Sequence, residues 1–282
     1  KQTVADAVTI GVMSQPEDIC LLRHDGSGKN AFKNPLSFRY LDDNFIESDA
    51  VKIGKTFMDY LKKTKDPRIH VYCSLKDGNT EFDKQFGLPN GYDSHTIADA
   101  PSGSFVGLEN TSNFNINTIL RLDAPTIFLM PSETKLLLAE AVLRNWTNGN
   151  AEVLYKEAIT SSMKEQEIAY GTQGKITDEE IETYLAQNLL STANNTEKLQ
   201  IIGEQYWVAT FINGYESYAN WRRTGYPKLI PTNYSGSMSP GVIPTRLPYP
   251  TDEYSINRAN VDTANQQQGA DKVTTHIWWD ID

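Results

Sequence analysis

Between positions 131 and 224 the apolar residues fall into five successive blocks of helical period, separated by short breaks, and this constrains the fold most. In the first block Leu136, Ala139, Leu143 and Trp146 follow the three-and-four spacing of one helix face, with Ser132 as the expected N-cap. On that spacing Trp146 completes an apolar stripe and belongs in the core. Asn148-Gly149 ends the helix, and Asn150 caps a second block carrying Ala151, Leu154, Tyr155, Ala158 and Ile159. Helices joined by so few residues must lie antiparallel, as an αα-hairpin.

A second pair follows. Thr177 and Glu180 spell a capping box, and Asp178 and Glu179 place negative charge where the helix dipole favours it. Ile181, Tyr184, Leu185 and Leu189 form that helix's apolar face. The next helix starts near Thr196 and uses Leu199, Ile202, Tyr206 and Ala209, until Asn213-Gly214 interrupts it. Consecutive hairpins imply tetratricopeptide-like stacking. Two pairs are fewer than a free-standing array needs, so further layers must come from long loops or from residues outside this chain.

The fifth block lies in FINGYESYANWRRTGYP, residues 211–227, where the rings of Phe211, Tyr215, Tyr218, Trp221 and Tyr226 accompany Arg222 and Arg223. On a helix over 215–224, Tyr215, Tyr218 and Trp221 share a face and are expected to cover the neighbouring hairpin. The arginines suit the last turn and have Glu216 or the acidic C-terminal segment as expected partners. Gly225 permits a left-handed exit and Pro227 stops the helix. The stretch therefore reads as structural.

The flanks differ. Residues 1–130 are turn-rich, with HDGSGKN, KDGNT, LPNGYD and APSGS as loop signals. They include one amphipathic helix at 51–61, stopped before Pro67, and a short strand at 68–73. After Pro227 the prolines of PKLIPTNYSGSMSPGVIPTRLPYP exclude interior strands and predict an extended strap across the helices. Trp278 and Trp279 near the end, if on a strand, face opposite ways, one inward and one partly exposed. The organisation expected is a loop-rich segment (1–130), helical hairpins (131–227) and a proline-rich strap (228–282), all parts of one domain.

Composition excludes several functions. With 26 basic against 36 acidic residues the net charge is -10, which argues against a nucleic-acid partner. The longest apolar runs, such as IFLM at 127–130, are too short to span a bilayer, and no signal peptide opens the chain. Cys20 and Cys73 lack C-x-x-C spacing and read as buried free thiols. PEDIC around Cys20 lacks the features of a lipid-attachment site. His24, His70, His95 and His276 show no metal-ligand spacing, so neither a metal nor a cofactor is expected. DGSGKN lacks the first glycine and the terminal Ser or Thr of a phosphate loop, and no G-x-S-x-G or G-x-G-x-x-G occurs. Asp42-Asp43 and Glu179-Glu180 read as turn and helix-start charges, so no catalytic constellation is visible.

The order of landmarks carries a resemblance. DPRIHVY (66–72), GLPNGYD (87–93), LLLAEAVLRNW, EQYWVATFINGYESYANWRRTGYP, RLPYPTDEYSIN (246–257) and a terminal WWD follow one another along nearly the whole chain. The series resembles the C-terminal part of the SusD/RagB family, the SusD-like starch-binding outer-membrane lipoproteins of Bacteroidetes. The resemblance implies a mainly α fold, a superhelix of tetratricopeptide-like hairpins with a long loop-rich region and few short strands. It also implies a non-catalytic protein on the extracellular face of the outer membrane. Such a protein binds starch-like or other oligosaccharides and delivers them to a SusC-type TonB-dependent transporter. The lipid-anchor cysteine and first helical repeats of the family have no counterpart in this chain, which is expected to be the C-terminal portion of a longer lipoprotein.

Sugars present apolar C–H faces and a rim of hydroxyls, so a binding site needs exposed rings beside polar groups. In the loop over 88–105, Tyr92, Asp93, His95 and Phe105 have that chemistry, and they are the expected ligand-binding residues. Tyr92 and Phe105 read equally as loop anchors. Trp146 and Tyr234 are lesser candidates. Two other classes stay open: a glycoside hydrolase or lyase, which requires a carboxylate pair in a cleft, and a peptide-binding helical repeat.

Overall fold

The computed structural model describes residues 1–42, 52–92, 95–233 and 236–280, apart from the side chains of Leu41 and Asp42. Contacts divide the chain into two units. The first joins Lys1–Pro89 to Ala100–Pro227, and the second joins Asn90–Asp99 to Lys228–Asp282.

In the first unit the chain runs through α1 (Gln2–Ile10), β1 (Cys20–Leu22), α2 (Pro35–Asp42), α3 (Lys55–Thr64), α4 (Ile69–Tyr72) and β2 (Cys73–Ser74). It continues through β3 (Asn113–Phe114), β4 (Thr126–Leu129), α5 (Pro131–Leu143), α6 (Ala151–Tyr170), α7 (Asp178–Gln187), α8 (Asn195–Ala209) and α9 (Gly214–Thr224). The strands form two antiparallel pairs, β1 with β4 and β2 with β3, and the rest of the regular structure is helical.

The helices form where local signals place them. Asn150 Oδ1 accepts the Val153 N–H at the start of α6. The Thr177–Glu180 capping box opens α7, and an analogous box between Asn194 and Glu197 opens α8. At α5 the expected cap fails. Pro131 takes the first helical position behind Met130, so Ser132 lies inside the first turn. There its N–H and hydroxyl donate to the buried Glu165 carboxylate of α6 (2.9 and 2.6 Å) and tie the hairpin together. Helix α5 stops at Leu143 because Asn145 turns left-handed (φ 56°), which carries Trp146 off the apolar stripe to an exposed position beside the Arg144 guanidinium.

The helix expected over 51–61 occupies α3, shifted toward its C-terminus, with Phe57, Met58 and Leu61 buried. The strand expected at 68–73 is instead the single turn α4, followed by the two-residue β2. Ile69, Val71, Tyr72 and Cys73 are all buried, so β-branched composition does not select a strand with one wet face. The turn is held by Arg68, whose Nε and Nη2 donate to Asp66 while Nη1 donates to Ser162 and Nη2 also to Gln205. Gln205 in turn donates to the hydroxyls of Tyr60 and Tyr184, so one polar network joins α3, α6, α7 and α8 inside the core.

Around that network the core contains Leu61, Ile69, Leu136, Tyr155, Ile159 and Met163. Phe211 stacks on Phe57 at 4.3 Å and meets Tyr72 and Phe114 edge-on or tilted, while Trp207 packs against Phe57 and Tyr60. Gly203 on α8 lets Tyr226 approach, since a Cβ there would lie 2.7 Å from the tyrosine Cβ. Of the two thiols only Cys73 is buried; Cys20, on the two-stranded β1–β4 sheet, is exposed.

The second unit is not wholly extended. Helices α10 (Thr251–Ile256) and α11 (Arg258–Gln268) follow the prolines, which crowd before position 251 and leave the later residues free to coil. Asp271 gathers RLPYPTDEY: it accepts from Arg246 (2.8 Å), the Tyr249 N–H and the Tyr254 hydroxyl (2.6 Å). Trp278 and Trp279 sit in a turn closed by Asp280 N–H to Ile277 C=O. Both are exposed, Trp278 to 82%, so the inward-facing partner expected of a strand does not exist.

Candidate functional site

The loop residues singled out by their chemistry do not share one unit. Tyr92, half-buried, and His95, exposed, belong to the second unit, whereas Phe105, half-buried, belongs to the first. Within the second unit, Gly91 (φ 86°) sets the loop backbone against Thr232. Asp93 and Tyr234 lie outside the described residues.

A groove of about 780 Å³ lies on the first unit, against α9. Leu36 of α2, Pro125 and Ile127 beside or on β4, and Ile212 form its apolar floor; Phe128, Tyr215 and Tyr218 stand around it. This overturns, for Tyr215 and Tyr218, the expectation that the rings of α9 cover a hairpin; Trp221 is half-buried. Tyr215 is 91% exposed, and Tyr218 is exposed while stacking on Trp221 at 5.9 Å. The physical reason is the kink at Asn213-Gly214. Helix α8 ends at Ala209, Asn213 Oδ1 caps α9 by accepting the Glu216 N–H, and Tyr215 and Tyr218 of the restarted helix meet solvent. Of the rings in residues 211–227, Phe211, before the kink, packs half-buried against the core.

The other polar groups of the groove serve the scaffold. Asn34 donates to the Ala124 carbonyl and accepts from the Leu36 and Ser37 N–H groups, and Thr126 Oγ1 shares a hydrogen bond with His24 Nε2. Among the described residues, no carboxylate, imidazole or cationic side chain lines it. Chemically the described lining offers mainly ring faces and hydrocarbon.

Behind α9 the charges are ordered. Among the described residues Arg223 does not pair with Glu216; it makes a two-pronged bond to Glu140 of α5 (2.7 and 2.8 Å), which Arg144 also contacts. Burial opposes ionisation of Glu140, but the two guanidiniums outweigh it and hold the carboxyl below its ordinary range. Glu216 accepts from the Tyr206 hydroxyl at 3.2 Å. Glu133, 6% exposed, has an oxygen without a hydrogen-bond partner among the described residues. Burial, with Glu216 and Glu165 nearby, pushes its carboxyl up to about 8. Sequence spacing signalled neither pairing, because the partners come from different helices. Among the described residues no group of His, Cys, Asp and Glu is placed to hold a metal ion, and no helix is long and apolar enough to cross a membrane.

This helical body with its loop-rich flank is a known architecture. Residues 1–250 match the model of the SusD-like family described as starch-binding and associating with the outer membrane, and the chain belongs to that family. Among solved structures, a chitin-binding protein is 28% identical, with a TM-score of 0.79, and the match covers 100% of this chain and 59% of that one. A Bacteroidetes SusD-like protein gives 23% identity and a TM-score of 0.78, covering 100% of this chain and 65% of the other. A chitin-binding SusD homolog from Flavobacterium johnsoniae gives 23% and 0.72, with coverage of 98% and 57%. The chain thus spans roughly three-fifths of the length of these structures. No curated protein sequence matches it.

Proposed function

We propose that the chain binds oligosaccharides without cleaving them, within a lipid-anchored protein on the outer face of the outer membrane. The observation that carries this reading is the family match over residues 1–250, whose description is starch-binding with outer-membrane association. The 28% identical chitin-binding structure adds chitin oligomers to starch as the ligands to test first. In this reading Tyr92, Asp93 and His95 are sugar contacts of the second unit, and Phe105 is a separate candidate contact of the first. Rings supply stacking on C–H faces and the polar groups bond hydroxyls. The bound glycan passes to a SusC-type TonB-dependent transporter.

The family description and the name of the chitin-binding structure speak of binding and of no reaction, which supports the non-catalytic part of the proposal. Affinity electrophoresis in gels containing soluble starch or glycol chitin tests binding, and a reducing-end assay on the same glycans tests cleavage. Retardation without new reducing ends is expected, and Tyr92→Ala should weaken it. Unretarded migration in both gels, or release of reducing ends, overturns the proposal.

A further inference from the structure

The first unit has another concavity, of about 550 Å³, beside the start of α7. Pro67, the buried Ile69, the half-buried Phe82 ring and Tyr184 form its floor. Polar side chains converge on its mouth: Lys65, Thr80, Glu179, Thr183 and Gln187. Two more are held deeper. Glu180 accepts from the Thr177 N–H and hydroxyl, and His70 Nε2 shares a hydrogen bond with the Lys175 carbonyl.

The contrast with the groove on α9 identifies the ligand chemistry. In that groove the side chains of Asn34, Thr126 and Asn213 are engaged in holding the scaffold. Here the side chains of Lys65, Thr80, Glu179, Thr183 and Gln187 make no hydrogen bond or ion pair with any described residue, and all face one cavity. They bring both senses of hydrogen bonding. Lys65 donates only, Glu179 accepts only, and Thr80, Thr183 and Gln187 do both. A hydroxyl needs a partner that accepts its proton and one that donates to its lone pairs, so such a rim suits a polyol. The signs of charge are mixed, with Lys65 against Glu179 and Glu180, which disfavours a polyanion. An apolar floor with a few convergent polar groups, at this volume, is the usual build of a small-molecule site.

We propose that this cavity binds a neutral saccharide unit, its ring face over Phe82 and Ile69 and its hydroxyls on Thr183, Gln187 and Glu179. The inference rests on the glycan-binding reading and names a contact surface apart from the 88–105 loop. Calorimetric titration of the chain with maltohexaose and with the hexamer of N-acetylglucosamine tests it, using wild type, Thr183→Ala/Gln187→Ala and Phe82→Ala. Thr183 and Gln187 are exposed on α7, so the double variant should melt with the wild type. Losing two hydrogen-bonding side chains should lower affinity about tenfold, or abolish one binding event, for whichever oligosaccharide binds. Phe82→Ala should act in the same direction. If wild type binds and both variants keep its affinity and stoichiometry, the cavity assignment is overturned while glycan binding stands. If wild type binds neither oligosaccharide, both readings fall.

Discussion

Arg68→Met removes one guanidinium and leaves its hydrocarbon stem, in a side chain 1% exposed that pairs with an Asp66 side chain 0% exposed. In the native protein Asp66 accepts from Arg68 Nε at 2.9 Å, from Nη2 and from the Arg68 N–H at 3.0 Å. After the substitution only the backbone donor remains for a carboxylate with no access to water. Ser162 and Gln205 each lose a guanidinium partner as well. Leaving one member of a buried ion pair uncompensated costs about 3–5 kcal/mol, more than the pair itself contributes over an apolar replacement. A second variant, Asp66→Asn/Arg68→Met, removes the orphaned charge and should recover about 1–3 kcal/mol of the loss. Urea unfolding followed by far-UV circular dichroism measures both. At a slope of about 2–3 kcal/mol per molar, the single variant's midpoint should fall by about 1–2.5 M. A loss below about 1 kcal/mol, or a double variant no more stable than the single one, would refute the account of Arg68 as the charge that holds α4 in the core.

Three further outcomes follow from the structure. Glu133 holds its proton up to about pH 8 in the folded chain and loses it in the ordinary carboxylate range when unfolded, so its contribution to stability declines as pH rises across that window. Glu133→Gln should therefore raise stability by about 1–2 kcal/mol near pH 8 and change it little near pH 4, as read from unfolding at both values. Phe211→Ala should cost about 3–5 kcal/mol because its ring closes the aromatic core, whereas Tyr215→Ala should stay within about 0.5 kcal/mol. Equal losses in thermal melts would contradict the placement of the two rings on opposite sides of the kink. Asp271→Ala strips the acceptor from Arg246, Tyr249 and Tyr254, and should make residues 228–282 markedly more sensitive to limited proteolysis.

The Phe211–Pro227 stretch shows how far the sequence could be read. Its kink, its helix and its exit are legible, because Asn213 capping, the position of Gly225 (φ 69°) and the stop at Pro227 are interactions within a few residues. That Tyr215 and Tyr218 share a face is legible too, from helical period. What covers that face is not, because burial depends on surfaces distant in sequence, and around these rings α2 and β4 leave a groove. The same limit explains Arg223, whose partner Glu140 lies on another helix, and Ser132, which serves Glu165 of α6 instead of capping its own helix. The candidate site was the least legible part. Tyr92, His95 and Phe105 share chemistry and lie close in sequence, and the chain distributes them between two units.

By itself, then, the sequence determined the helical hairpins with their caps and breaks, and the ordered motifs that mark the family, since these depend on neighbours along the chain. The tertiary structure alone decided that residues 68–73 coil around a buried arginine, that the signature helix turns its tyrosines to solvent, and that polar side chains from three separate segments meet beside α7. Those outcomes are set by desolvation and packing against distant segments, whose free energies exceed the local preferences of the residues involved.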